Sequence, residues 1–167
     1  LAPVIPQPGK ILCVGLNYAQ HALEAGLQQP PEPVLFSKFN NSLAAHGTDV
    51  SIAGLSRVDY EAELGILLGR GGRDISEDRA LEHVLGCFNA NDISERRLQN
   101  VSTQWLLGKS LDGFLPVGPE LLTLDEVGNP DALQVRGWLN GELRQDSNTA
   151  DMIFSVAETI AYISCFM

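Results

Sequence analysis

The sequence predicts a mixed α/β domain in which β-strands dominate and the helices are few and short. Short apolar runs bounded by turn-forming residues are typical of buried strands. Apolar and polar residues alternate from Val58 to Gly69, as expected of a half-buried strand. Asn140-Gly141, between strand-like flanks, favours a type I′ hairpin turn. With 167 residues, the chain is long enough for one core, and we interpret residues 1–167 as a single domain.

The first part of the chain predicts two strands joined through a helix. Lys10–Leu16 is a nearly continuous apolar run, and Val34–Phe39 follows three prolines that force extended chain. Between these strands we expect a helix over Tyr18–Ala25, closed by Gly26 where helices favour a left-handed residue. A further extended segment is expected near Asp49–Ile52.

The rest of the chain predicts short alternating elements. In chain order, we expect a helix at Glu77–Val84 capped by Ser76, a strand at Leu85–Ala90, helical turns at Ser94–Gln99, a Gly- and Pro-rich loop at Gly108–Pro119, and a hairpin at Gln134–Gln145. Ser155 and Glu158 form a capping-box pattern that predicts the start of a terminal helix.

Composition excludes several classes of protein. The formal net charge of −10 argues against binding to nucleic acid or to an acidic membrane surface. No apolar run approaches the roughly 20 residues of a membrane-spanning helix. Cys13, Cys87 and Cys165 form no C-x-x-C motif, so we expect buried free thiols in a reducing compartment such as the cytoplasm.

Glu61 and Glu63 are two residues apart on a predicted strand, so their side chains share one face, about 7 Å apart at their bases. Two such charges repel, and either solvent or a hard cation that recruits carboxylate oxygens relieves the repulsion. Asp92 follows a predicted strand, where functional carboxylates often lie, although Asn91-Asp92 is equally compatible with an ordinary turn. The spacing does not place Asp92 near Glu61.

Further candidates carry charge on predicted helices and loops. His21 and Glu24 share a helix face and suit either a general base for water or a surface hydrogen-bonded pair. Lys109 lies in Gly-Lys-Ser, but the upstream glycine of a P-loop is missing, so it is either a contact for an anionic substrate or a solvated lysine. Arg96 and Gln99 face either one cleft or solvent.

Six blocks of sequence, in this order, resemble the fumarylacetoacetate hydrolase family. They extend from about Ile11 to Ser164 and read CVGLNYAQHALEAG, PVLFSKF, VDYEAELGILLGR, GCFNANDISERRLQ, QWLLGKSLDGFLPVGP and LNGELRQDSNTADMIF. The resemblance points to the single-domain branch with acylpyruvate hydrolases, oxaloacetate decarboxylases and tautomerases, and hydroxymuconate-type isomerases. It implies a catalytic-type domain folded as a mixed β-sheet roll with short peripheral helices, assembled as a homodimer.

The resemblance also implies a role for each candidate residue. The implied metal is Mg²⁺ or Mn²⁺, with Ca²⁺ as a substitute in crystals, and the implied ligands are Glu61, Glu63 and Asp92. Substrate contacts are implied for Arg96, Gln99 and Lys109, the last of which is also implied to be catalytic. Water activation or proton transfer is implied for His21 and Glu24, carried on a lid formed by residues 17–30.

The implied activity is that of an enzyme acting on a small α-keto or enol dicarboxylic or diketo acid through a metal-stabilised enolate. C–C bond hydrolysis is the expected class, and oxaloacetate decarboxylation and keto–enol tautomerisation share the same enolate. The alternative is an inactive metal-binding paralogue or an interaction module of the same fold.

Family members continue into a P-G-D-x-I-x-T-G-T-P segment that this sequence does not contain, so we expect a truncated domain with residues 1–9 as an N-terminal extension. The expected location is the cytoplasm, or the mitochondrial matrix if a targeting peptide has been removed.

Overall fold

A computed structural model describes residues 2–24 and 26–167. Their contacts group into two compact units. Unit 1 takes its residues from 1–13, 35–65 and 88–121, and unit 2 takes its residues from 14–34, 66–87 and 122–167.

Eleven strands are found in the described part of the chain. They are β1 (Leu12–Gly15), β2 (Val34–Ser37), β3 (Leu43–Ala45), β4 (Val58–Asp59), β5 (Ala62–Leu68), β6 (Val84–Asn91), β7 (Ser94–Glu95), β8 (Leu115–Val117), β9 (Leu122–Thr123), β10 (Gln134–Leu139) and β11 (Glu142–Asn148). The largest sheet has the order β3-β8-β6-β5, with β9 also paired to β6. It is mixed, because β3 and β8 are parallel whereas β6 is antiparallel to both β8 and β9. Three two-stranded sheets are formed by β1-β2, β4-β7 and β10-β11.

The helices are short, as predicted. The α-helices are α1 (Ala19–Glu24), α2 (Arg96–Gln99), α3 (Leu106–Lys109), α4 (Leu124–Val127) and α5 (Val156–Ser164). Single 3₁₀ segments lie at Asn40–Ser42, Glu77–His83, Pro130–Ala132 and Thr149–Asp151. Among the described residues, no helix has the length and apolar character needed to cross a membrane.

Each unit has its own buried apolar residues. In unit 1, Phe114, Leu115 and Val117 are buried around β8, and Ala44 and Ala45 are buried on β3. These apolar side chains belong to the buried core of unit 1.

The core of unit 2 joins the 3₁₀ segment at Glu77–His83 to the terminal helix. Its buried members are Ala80, Val84, Val156 and Ile160. Burying such aliphatic groups is the main favourable term that holds a short helix in place.

Several predicted elements are confirmed. Asn140 and Gly141 have φ values of 52° and 83°, as a type I′ turn requires. The capping box is present, since Glu158 N donates to Ser155 Oγ and Ser155 N donates to Glu158 Oε2. Gly26 has the left-handed φ of 67° expected at a helix end.

Other predictions were wrong in detail. The helix expected at Glu77–Val84 is a 3₁₀ segment, and Ser76 makes no side-chain cap bond to it. The segment predicted to be extended near Asp49–Ile52 takes part in no strand, and its extended conformation stays a prediction. Gly108–Pro119 contains the end of α3 and the whole of β8, because buried packing overrides the turn propensity of Gly and Pro there. Cys165 is exposed rather than buried.

Candidate metal and substrate site

Strand pairing within unit 1 brings the first two carboxylates of the predicted site together. The antiparallel pairing of β4 with β7 sets Asp59 opposite Ser94. Continuing that register places Glu61 opposite Asp92, and Asp92 N donates to Glu61 O at 2.9 Å. Long-range register, which the spacing of the sequence does not reveal, therefore unites Glu61 with Asp92.

Asp92 is buried between two lysine ammonium groups. Its Oδ1 accepts a hydrogen bond from Lys38 Nζ at 2.6 Å, and its Oδ2 accepts one from Lys109 Nζ at 2.7 Å. Asp92 is 5% exposed and both lysines are 2% exposed, so these ion pairs are shielded from water. Lys109 Nζ also donates to Glu61 Oε2 and so joins the two carboxylates.

Arg96 closes the exposed side of the same group. Its Nη2 donates to Glu61 Oε1 at 2.7 Å and to Asp59 Oδ2 at 2.7 Å, and its Nε donates to the same oxygen of Asp59 at 2.9 Å. Gln99 Oε1 accepts from Arg96 Nη1 at 2.9 Å. Arg96 and Gln99 therefore lie together beside the carboxylates, and their common cleft stays a prediction.

Two helices position these cations. Glu95, which is fully buried, caps α2 by accepting from Leu98 N at 2.6 Å, and it also accepts from Arg57 N at 3.0 Å. This cap fixes the first turn of α2, where Arg96 lies. Lys109 is the last residue of α3, and its ammonium lies 5.1 Å from the centroid of the Phe36 ring, within the range of a cation–π contact.

The pKa values of the two glutamates move in opposite directions. Burial, followed by the charges of Glu61 and Asp92, raises the pKa of Glu63 to about 8. Burial also favours the neutral form of Glu61, but Lys109 and Arg96 outweigh it and hold the pKa of Glu61 below its usual range. Burial lowers the pKa of Lys38, and Asp92 opposes that change. Lys109 and Arg96 thus keep Glu61 ionised, whereas burial and the neighbouring carboxylates favour the neutral, protonated form of Glu63.

The donor chemistry of this cluster fits a hard divalent cation. In the ranges 2–24 and 26–167, no three His, Cys, Asp or Glu side chains form a group ready to hold a metal ion as they stand. The cations that contact Glu61 and Asp92 here are instead the ammonium groups and a guanidinium. Carboxylate oxygens are the ligands that Mg²⁺ and Mn²⁺ prefer, and a cation near Glu63 would offset the charge that raises its pKa. Metal binding by these carboxylates would therefore require the ion to replace the contacts that Lys109 makes with Glu61 and Asp92.

The raised pKa of Glu63 predicts a pH dependence of the metal-free fold. Below about pH 4.5 this carboxyl is protonated in both the folded and unfolded states. Between about 4.5 and 8 the unfolded state loses the proton while the folded state keeps it, so folding stability is lost as the pH rises. We expect Glu63→Gln to stabilise the metal-free chain progressively more from pH 5 to pH 8, measured by urea unfolding in the presence of a chelator. A gain that is equal at both pH values would contradict the assignment to Glu63.

His21 and Glu24 lie on α1 in unit 2, whereas the cluster above lies in unit 1. Both residues are exposed. In the described part of the chain Glu24 hydrogen-bonds Gln20, at 3.3 Å, and not His21. The helix is anchored within unit 2, where Asn17 exchanges two hydrogen bonds with the backbone of Phe154, each 2.9 Å long. The catalytic role of His21 and Glu24 stays a prediction.

Reasoning from the sequence missed Lys38 and Asp59 as members of the site. The sequence does contain an indication of the role of Lys38. A lysine within the apolar run Val34–Phe39 is unusual in a buried strand, because buried lysines need a charged or polar partner. Phe36 and Lys38 are two residues apart and therefore share a strand face. Asp59 extends the row of Glu61, and only the β4–β7 register shows that it pairs with Arg96.

A β-rich domain holding a buried carboxylate–lysine cluster is the class that the fold and the site define. The fumarylacetoacetate (FAA) hydrolase C-terminal family matches residues 10–167. The chain therefore belongs to this family, and the resemblance seen in the sequence is confirmed.

Named relatives catalyse more than one reaction. The mitochondrial oxaloacetate tautomerase of Xenopus laevis is 42% identical over 170 residues, which cover 100% of this chain and 53% of the relative. The structure of 5-carboxymethyl-2-hydroxymuconate delta-isomerase from Mycobacterium smegmatis has a TM-score of 0.88 at 34% identity, covering 100% of this chain and 65% of that one. Fumarylpyruvate hydrolase from Pseudomonas aeruginosa, in complex with Mn²⁺ and pyruvate, has a TM-score of 0.84 at 34% identity, covering 95% and 72%. The chain spans about half the length of the curated relatives it matches.

Proposed function

We propose that this chain is the metal- and substrate-binding domain of an enzyme that converts small α-keto or enol acids. The observation that carries the proposal is the buried group in which Lys109 bridges Glu61 and Asp92 while Arg96 contacts the same glutamate. Mg²⁺ or Mn²⁺ would be held by Glu61, Asp92 and Glu63, and supplies Lewis acidity toward a carbonyl oxygen. The Mn²⁺ complex of the hydrolase relative supports this choice of metal.

The chain's own cations would then bind the substrate. Metal binding at Glu61 and Asp92 would release Lys109 from both carboxylates and would release Arg96 from Glu61, while Arg96 would keep Asp59. Each becomes available to an anionic substrate, Lys109 as a point charge and Arg96 as a planar fork suited to a carboxylate. Lys109 is 2% exposed, and this shielding from water would strengthen its interaction with negative charge that develops during the reaction.

A metal titration followed by a turnover assay tests this proposal. The chelator-stripped chain should bind Mn²⁺ in calorimetry and should then turn over oxaloacetate or fumarylpyruvate, followed by their ultraviolet absorbance. Glu61→Ala should abolish both, whereas Glu82→Ala, at an exposed surface pair with Arg79, should change neither. Absence of Mn²⁺ binding would refute the metal site, and binding without turnover would favour the non-catalytic alternative.

Arg96 provides a test of substrate binding. Removing a hydrogen bond to a charged group costs about 1.5–3 kcal/mol, so Arg96→Gln should raise the KM for a keto acid by roughly 10–100-fold. Arg97 is the neighbouring, exposed arginine, and Arg97→Gln is the matched control with an unchanged KM expected. Equal KM values for the two variants would remove Arg96 from the substrate site.

Keto–enol tautomerisation, decarboxylation and C–C hydrolysis are distinguished by their need for activated water. If His21, oriented by Glu24, acts as the base on water, His21→Ala should lower hydrolysis of fumarylpyruvate at least tenfold more than decarboxylation of oxaloacetate. Equal losses for the two substrates would contradict that role. The similarity to a tautomerase and to a hydrolase supports tautomerisation and hydrolysis as candidate reactions.

We further propose a homodimer, located in the cytoplasm or the mitochondrial matrix. The tautomerase relative is named as mitochondrial, which supports the second location. Light scattering coupled to size-exclusion chromatography tests the dimer, since a mass of one chain would contradict it.

A further inference from the structure

Lys38 is a buried cation that has no role in the function proposed above. The chain has three lysines: Lys10 is exposed, Lys109 faces the proposed substrate, and Lys38 is 2% exposed. Lys38 Nζ donates to Asp92 Oδ1 at 2.6 Å and to the Ile93 carbonyl at 3.1 Å. Its ammonium therefore contacts two consecutive residues at the point where the chain leaves β6.

The two oxygens of Asp92 have different partners. Lys38 holds Oδ1, and Lys109 holds Oδ2 while also bridging to Glu61. Lys109 ends a short helix beside the partly exposed Glu61, whereas the side chain of Lys38 has no exposed surface. Because Glu61 and Asp92 share Lys109, a cation bound by both carboxylates would replace the Lys109 contact at Oδ2, whereas the Lys38 contact at Oδ1 need not be broken.

We propose that Lys38 is a positioning residue, which fixes Asp92 through Oδ1 so that Oδ2 is presented to the metal ion. This inference rests on the metal site of the proposed function. The second bond, to the Ile93 carbonyl, ties the ammonium to the backbone beside Asp92 and keeps the carboxylate from rotating. Groups that orient a metal ligand in this way set metal affinity without touching the ion.

The sign of the effect separates this role from simple electrostatics. A buried positive charge close to a cation site repels the cation, so on charge alone the loss of Lys38 would tighten metal binding. If Lys38 positions Asp92, its loss weakens binding instead, because the carboxylate is free to turn. The two explanations therefore predict opposite changes in metal affinity.

Calorimetric titration of Mn²⁺ into the chelator-stripped wild type and variants measures this change in metal affinity. Loss of a group that orients a metal ligand typically lowers affinity about 10–100-fold, and we expect this loss for Lys38→Met. Lys38→Gln, which keeps a hydrogen-bond donor but no charge, should fall between Lys38→Met and the wild type. Lys10→Met, at the exposed lysine, is the control and should match the wild type.

The outcomes are distinguishable from failure of the proposed function. Lack of Mn²⁺ binding by the wild-type chain overturns both proposals. Wild-type binding with equal or tighter binding by Lys38→Met and Lys38→Gln overturns the role of Lys38 alone.

A measurement on the wild type covers the case in which the variants do not fold. With three lysines, the side-chain ammonium signals are few enough to follow by nuclear magnetic resonance during a Mg²⁺ titration. The Lys38 signal should stay protected from solvent exchange with and without Mg²⁺, while the Lys109 signal moves. Loss of protection at Lys38 on adding Mg²⁺ would show that it does not hold Asp92 in the metal-bound state.

Discussion

Asp92→Ala is expected to lower the free energy of unfolding of the metal-free chain by about 3–5 kcal/mol, the usual cost of removing one partner from a buried ion pair. Asp92 is the shared counter-ion of Lys38 and Lys109, both of which are 2% exposed. Lys109 retains Glu61 as a partner, whereas the partner that Lys38 retains among the described residues is the Ile93 carbonyl. The cost therefore arises mainly from an ammonium group left in the interior without a charge to pair with.

Urea unfolding at pH 7 in the presence of a chelator measures this effect. Glu82→Ala is a suitable control, because Glu82 pairs with Arg79 at an exposed 3.0 Å contact, and exposed ion pairs contribute little to stability. Double replacement by Asp92→Ala with Lys38→Met should recover part of the loss, since the unpaired charge is removed with its partner. Equal stabilities for Asp92→Ala and Glu82→Ala would show that the ion pairs contribute little to the fold.

The parts of the fold that follow from neighbouring residues could be predicted from the sequence. The hairpin depends on Asn140-Gly141 alone, and the terminal helix begins at the capping box of Ser155 and Glu158. The common strand face of Glu61 and Glu63 is also a local feature, since a strand places alternate residues on one face. Such features need no knowledge of the rest of the chain.

The parts that depend on register and packing could not be predicted from spacing. Nothing in the spacing of Glu61 and Asp92 sets them opposite each other, and family resemblance was needed to connect them before the structure showed the β4–β7 pairing. Lys38 illustrates the same limit, because its ion-pair partner Asp92 is distant in the sequence. The segment from Gly108 was predicted to be a loop, since its glycines and prolines hide the helical turn that carries Lys109.

Gly108→Ala is expected to destabilise the chain by at least 1–3 kcal/mol, the usual cost of overpacking. A Cβ atom at Gly108 would lie 2.5 Å from Gln99 N and 2.6 Å from Glu95 O. Both atoms belong to the backbone at the two ends of α2, so no side-chain rotation relieves the overlap. The glycine is thus required for the close approach of α3 to α2.

The same substitution should impair catalysis, because it acts on both helices that carry the substrate-facing cations. Relief of the overlap must move α3 away from α2, and with it Lys109 relative to Arg96. A displacement of about 1 Å in such a group can cost on the order of 100-fold in rate, and we expect that loss in kcat/KM for oxaloacetate. Gly71→Ala is the matched control, since a Cβ atom at Gly71 meets nothing within 4 Å. If Gly108→Ala retained the stability and turnover of Gly71→Ala, the packing of α3 on α2 would not position Lys109.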